Sequence, residues 1–192
     1  MLARLIHLLV DPDVSSQIKT DVVYILGSIT NGSEANLRSL TDANLVRLLL
    51  TGLVSPEPDL ASACLACLQS LTALSPPLSS LSAQQEVEPG RPAPGLSPYL
   101  THYQVIYSDP AIVPHLLHLL EGQASHQIAV CNILAASVRT GEQQNLLAAA
   151  GLLPALSSTL SSHVYSVQLA ALRCLAEVIF NNERYQLARR YQ

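Results

Sequence analysis

The chain has no Trp and one Phe, and even with seven Tyr its aromatic share is only 4% of 192 residues. Any core must therefore come from Leu, Ile, Val and Ala, a composition that favours stacked helices. Charge is scarce as well: charged residues make up 12% of the chain and the formal net charge is −4. That excludes the basic stripe a nucleic-acid binder needs and the polybasic segment that seeks an anionic membrane surface. Long apolar runs are missing too. The longest after the opening, LVRLLLTGLV, carries Arg47 and reaches about half the length of a membrane span, so the chain reads as soluble, with no membrane insertion.

The opening MLARLIHLLV is interrupted by Arg4 and His7 and runs into DPDV without a small-residue cleavage site. It is read as a helix of the mature chain, not as a signal peptide. Four Cys in a chain of this size without such a signal point to a reducing compartment, cytoplasmic or nuclear. The eight glycines are scattered and build no phosphate cradle, and neither G-x-S-x-G nor H-E-x-x-H occurs. Catalytic residues, cofactors and metal are therefore expected to be none.

What is present is a repeat. YILGSIT, ACLQSLT, ILAASVR and RCLAEVI end four similar segments, and aligning Ser28, Ser70, Ser137 and Glu177 gives intervals of 42, 67 and 40 residues. Two intervals fit the period of roughly 40 to 47 residues seen in armadillo and HEAT arrays. The long interval contains SPPLSSLSAQQEVEPGRPAPGLSP, whose prolines remove backbone donors and disfavour helix before them. It is expected to be an inserted, disordered loop. The resulting division is 1–74 repeats, 75–104 loop and 105–192 repeats.

A shorter Leu-rich helix is expected before each long one: LARLIHLL, ANLVRLLLTGL, AIVPHLLHLL and GLLPALSSTL. SEANLRSL and GEQQNLLAAAG supply a third, short helix, the latter closed by Gly151. GLLPALSSTL followed by SVQLAALRCLAEVIFNN resembles an armadillo repeat, in which a Gly-led helix packs on a longer one lining a concave side. The expected fold is all-α, an armadillo-type α-solenoid, a right-handed superhelix of three-helix repeats. The chain would open at the second helix of one repeat and close after the first helix of another, NNERYQLARRYQ. Its exposed apolar ends are then expected to promote self-association.

The pair Cys64 and Cys67 has the C-x-x-C spacing of zinc and redox sites. Register argues for packing. On the first long helix Ile18, Val22, Ile25, Leu26 and Ile29 are spaced as one buried face. The second helix carries Leu60, Cys64, Cys67, Leu68 and Leu71 there, the third Gln127, Cys131, Leu134, Ala135 and Val138, the fourth Val167, Ala171, Cys174, Leu175 and Val178. Every Cys thus falls on the Val22 or the Ile25 position, where a small hydrophobe fits. His115 and His118 could complete a metal set, but the gap from Cys67 is far longer than in zinc fingers, and the two are read as a solvated stripe.

What remains is a surface for protein partners, with Lys19, Tyr24, Gln69, Arg173 and Glu177 as candidate exposed contacts on the long helices. Nuclear-import adaptors of the armadillo family resemble a ladder of Trp with Asn four residues on. Here the corresponding pairs are Tyr24/Ser28, Ala66/Ser70, Ile133/Ser137 and Arg173/Glu177, so that mode of peptide binding is disfavoured. QIKTDVVYILGSITNGSEANLRSL, GLVSPEPDLASACLACLQSL, YSDPAIVPHLLHLL and VYSVQLAALRCLAEVIF instead resemble the armadillo scaffold subunits of CTLH/GID ubiquitin ligases. That resemblance implies a non-catalytic subunit in the cytoplasm and nucleus whose partners are other subunits of the ligase.

Overall fold

The computed structural model describes residues 2–30, 39–40, 42–72, 104–180 and 182. They are all-helical: α1 (Leu2–Val10), α2 (Ser16–Thr30), α3 (Leu45–Leu53), α4 (Pro58–Thr72), α5 (Val105–Ser108), α6 (Ile112–Leu119), α7 (Ala124–Ser137), α8 (Gly141–Ala149), α9 (Leu152–Leu160) and α10 (Tyr165–Ile179). The alternation of short and long helices expected from the repeat is present at α1–α2, α3–α4, α6–α7 and α9–α10. The loop placed at 75–104 lies, apart from Gln104, outside the described residues, as do most of SEANLRSL and the closing ERYQLARRYQ.

Local signals explain several boundaries. Pro58 opens α4 where its missing N–H has no helical partner to lose. Pro114 and Pro154 sit at the third position of α6 and α9, among the first-turn donors that lack acceptors in any helix. α8 starts with a capping box: the Gln143 N–H donates to Thr140 Oγ1 at 3.3 Å, while the Thr140 N–H donates to Gln143 Oε1 at 3.2 Å. Gly151 separates α8 from α9 at φ 95°, a left-handed conformation that an L side chain rarely adopts.

The helices form two compact units. The first comprises the described residues up to Thr72 together with 104–112, and the second those from Val113 on. Residues 105–112, grouped with the later repeats by the sequence reading, thus belong to the first unit. α5 packs on α3, and Ile106 is fully buried. Within the first unit α2 lies along α4, and α3 packs beneath α4. Within the second, α7 lies along α10, with α9 on α10 and α8 against both α9 and α10. In each unit a long helix therefore seats on the long helix of the preceding repeat.

The expected buried stripe holds in full on α4 and in most positions on α7 and α10, where Gln127, Ala135 and Leu175 are half-buried. Cys64, Cys67, Leu68, Cys131, Leu134, Val167, Ala171, Cys174 and Val178 are all buried. On α2 it fails in part: Val22 and Leu26 are buried, but Ile18 is 48% and Ile25 47% exposed. The reason is positional. At the Ile25 position, Cys67 packs against Gly27 of α2, and the Cys174 thiol hydrogen-bonds with that of Cys131 on α7. That position faces the preceding long helix, and among the described residues α2 has none on that side.

Candidate functional site

The two cysteines of the C-x-x-C motif fill different seams. A Cβ on Gly52 of α3 would lie 2.7 Å from Cys64 Sγ, and one on Gly27 of α2 would lie 3.7 Å from Cys67 Sγ. Each thiol thus occupies room that a neighbouring glycine leaves. Burial pushes the Cys64 thiol up to about 12; burial and the Cys64 charge push Cys67 up to about 12 as well. Cys174 is raised by its hydrogen bond to Cys131 and then by burial. A nucleophile or metal ligand requires thiolate, which these sites oppose. Among the described residues no group of three or more His, Cys, Asp or Glu is placed to hold a metal ion. His118 instead faces Glu121 at 3.3 Å on the exposed side of α6.

The surface candidates separate into distinct settings. On α2, Gln17, Asp21, Tyr24 and Ser28 share an exposed ridge at the i, i+4, i+7, i+11 spacing of one helix face. Gln17 Nε2 donates to Asp21 Oδ1 at 3.3 Å, and the Ser28 hydroxyl to the Tyr24 carbonyl at 3.0 Å. Tyr24 itself is 57% exposed. The α4 equivalents Ala66 and Ser70 repeat this, with the Ser70 hydroxyl donating to the Ala66 carbonyl at 3.1 Å. The serine donors are thus engaged with their own helix. What the ridge presents outward is serine oxygen lone pairs, a phenol and one carboxylate, which suits a partner supplying N–H donors and apolar contact.

Lys19 and Gln69 do not join that ridge. Lys19 is half-buried, and its five-residue separation from Tyr24 turns it about 140° around the helix. Gln69 is half-exposed and stands where α2 has Gly27, the side turned toward a following long helix. In the second unit Arg173 is exposed at the Tyr24 position. Glu177 corrects the expectation of exposure: it is buried at 6%, in the wall that α8 and Asn182 build against the end of α10. On α7 the same two positions, Ile133 and Ser137, are fully buried.

That wall was missed from the sequence. Gln144 Nε2 donates to the carbonyls of Glu177 at 3.1 Å and Phe180 at 2.8 Å. Asn182 Nδ2 donates to Gln144 Oε1 at 2.8 Å and to Asn145 Oδ1 at 3.4 Å. The network satisfies carbonyls that the end of α10 leaves without helical partners and ties α8 to the next repeat. Two further glutamines do the same for short helices: Gln127 Nε2 donates to the Leu120 carbonyl at 2.8 Å, and Gln168 Nε2 to those of Leu160 at 3.3 Å and Ser162 at 2.8 Å. The available signal was a Gln near the start of a long helix, seven or eight residues past the end of a short Leu-rich one.

No protein-family model matches the chain. It is similar to armadillo repeat-containing protein 8 of Xenopus laevis, 29% identical over 184 residues, and to that of Mus musculus, 28% identical over 184 residues. Each alignment covers 96% of this chain but 22% and 24% of the relative, so the chain spans about a quarter of their length. Among solved structures, an engineered protein superposes with a TM-score of 0.66 at 19% identity, covering 93% of this chain and 63% of that one. A designed armadillo repeat protein in complex with the peptide (KR)4 superposes at 0.53 and 16% identity, covering 92% and 81%. The fold is that of armadillo repeats.

Proposed function

We propose that this protein is a non-catalytic scaffold or adaptor subunit of a CTLH/GID-type E3 ubiquitin ligase, mediating protein contacts for ubiquitin-dependent degradation in the cytoplasm and nucleus. The observation that carries the reading is the similarity to armadillo repeat-containing protein 8 across 96% of the chain. Two features support it. Gln127, Gln144 and Gln168 are engaged with carbonyls at helix ends, while α2 keeps an exposed ridge of Gln17, Asp21, Tyr24 and Ser28 open to a partner. The thiols are held protonated by burial, so the motif with the best claim to chemistry is packing.

The test is affinity purification of the tagged chain from cells followed by mass spectrometry, with imaging for its location. Other subunits of the ligase should co-purify, and Tyr24→Ala with Arg173→Glu should reduce their recovery without altering the melt. Consistent absence of those subunits with a folded bait would overturn the reading.

A second reading, an adaptor for extended peptides, draws support from the exposed Tyr24 beside Asp21. The missing Trp/Asn ladder opposes it. Fluorescence anisotropy with a labelled basic peptide separates the two, since only the adaptor reading expects saturable binding that Tyr24→Ala weakens.

A further inference from the structure

Three Ser-Pro pairs occur in the sequence, and one of them, Ser55 with Pro56, lies among the described residues. It sits in the turn between α3 and α4, followed by Glu57 and by Pro58, the first residue of α4. Each proline disfavours helix in the residue before it, so Ser55 and Glu57 are pushed towards extended backbone. Ser55 is half-exposed, and Val54, Pro56, Glu57, Pro58 and Asp59 around it are exposed. Leu53 and Leu60 are the nearest buried side chains on either side.

The Ser55 hydroxyl also differs from those of serines on the helices or at their ends. Ser28, Ser70, Ser108 and Ser161 each donate to the carbonyl four residues back, at 3.0 to 3.2 Å. Ser55 Oγ instead accepts the Glu57 N–H at 3.3 Å. The turn between α1 and α2 is built alike, with an acid in that place: Asp11 precedes Pro12, and Asp11 Oδ1 accepts the Asp13 N–H at 3.0 Å. One turn therefore already holds a negative charge where the other holds an alcohol.

We propose that Ser55 is a phosphorylation site, modified by a proline-directed protein kinase with ATP. Ser55 Oγ forms a bond to the γ-phosphorus while the bond from that phosphorus to the β-phosphate oxygen breaks; ADP leaves with the electron pair, and the hydroxyl proton passes to the kinase's base. The product carries about −1.5 to −2 charge at pH 7, in a turn whose counterpart keeps Asp11. Phosphate oxygens take over as acceptors for the Glu57 N–H. The Glu57 and Asp59 carboxylates are exposed, so solvent and salt screen their repulsion of the phosphate. Modification therefore changes the surface of the first unit and leaves its packing alone. The assignment stands apart from the ligase reading, which it neither needs nor supports.

The test treats the folded full chain with ATP and, in turn, a mitogen-activated protein kinase and a cyclin-dependent kinase, reading intact mass and peptide fragment spectra. Ser75 and Ser97 also precede prolines and lie outside the described residues, so a chain with Ser75→Ala and Ser97→Ala serves as parent. It should gain about 80 Da at Ser55, and the product should melt within about 2 °C of the unmodified chain. Adding Ser55→Ala should abolish the gain, and adding Pro56→Ala should slow it by at least about tenfold. Asp11→Ser should open a second site before Pro12, since the two turns are built alike.

No gain in mass at Ser55 with either kinase overturns the proposal. So does a gain confined to chain that has lost its melt, because the turn would then be read only when unfolded. A Pro56→Ala chain modified as fast as its parent overturns the proline-directed reading, and an Asp11→Ser chain that takes no second phosphate overturns the equivalence of the two turns.

Discussion

Tyr24 on α2 and Ile133 on α7 occupy the same position of the repeat, yet Tyr24 is 57% exposed and Ile133 is fully buried. Their partners four residues on, Ser28 and Ser137, differ in the same way, exposed on α2 and buried on α7. α7 has no Lys, Arg, Asp or Glu along its length and from Ala129 to Ser137 buries Ala129, Val130, Cys131, Ile133, Leu134, Ala136 and Ser137 on successive faces, as expected for an uncharged segment with a single polar interruption at Asn132. α2 has Lys19 and Asp21 and keeps one solvated ridge. Repeat position thus decides which side chains meet across a seam, whereas local composition decides whether the opposite side is open.

The widest separation between the two helices should come from truncation. Ile133→Ala is expected to cost about 3 to 4 kcal/mol, the range for removing a fully buried branched chain. Tyr24→Ala is expected to stay within about 0.5 kcal/mol, as an exposed substitution does. Urea denaturation of both variants checks this, and equal losses would break the contrast.

Next in size is the wall behind Glu177. Asn182→Ala removes the donor that Gln144 Oε1 and Asn145 Oδ1 share, leaving buried acceptors unmatched, and should cost about 1 to 3 kcal/mol. The first unit has no counterpart among its described residues. Hydrogen exchange should therefore show loosening at α8 and the end of α10, with α2 and α4 unaffected; uniform loosening would contradict the local role.

The two glycine–cysteine seams differ by about one ångström, and a methyl group reads that difference. Gly27→Ala meets Cys67 at ordinary contact distance and gains helix propensity, so it should stabilise by about 0.5 to 1 kcal/mol. Gly52→Ala forces the buried Cys64 Sγ from 2.7 Å and should destabilise by about 1 to 2 kcal/mol. Cys64→Ala placed in the Gly52→Ala background should recover part of that loss, which thermal melts of the double variant would register.

The remaining contrast is pH dependence. The folded-state values of Cys64 and Cys67 lie near 12 against an ordinary 9.0, so between those limits the unfolded chain releases protons that the folded chain retains. The stability these two thiols contribute should therefore be fully present below about pH 8 and fall as pH rises through 9 and above. Urea midpoints at pH 8 and pH 10 check the sign, and Cys64→Val with Cys67→Val should flatten the slope. At neutral pH, native thiols should resist alkylation until the chain is unfolded.

Much of the helical layout was legible because it rests on short-range periodicity. The four short–long pairs, the first-turn prolines and Gly151 all follow from spacing and backbone restriction within a few residues. The cysteine register was legible for the same reason: a three-residue step on a helix keeps Cys64 and Cys67 on neighbouring faces, and four copies of the pattern averaged out local noise. The candidate surface was less legible. Gln69 and Glu177 read as exposed from their own helices, but one helix carries no information on what packs over it. Gln69 stands at a seam position, and Glu177 lies behind a network in which Gln144 meets groups 33 to 38 positions further along the chain.

By itself, then, the amino-acid order determined helix type, helix spacing and the position of each cysteine within its repeat, since these depend on neighbours within two turns. Only the tertiary structure decided that Cys64 and Cys67 serve different seams, that Ile18 and Ile25 lack the cover their equivalents enjoy, and that Ile133 is core while Tyr24 is surface. Burial is a property of the elements on every side of a residue, and helical periodicity specifies only the side on which they lie.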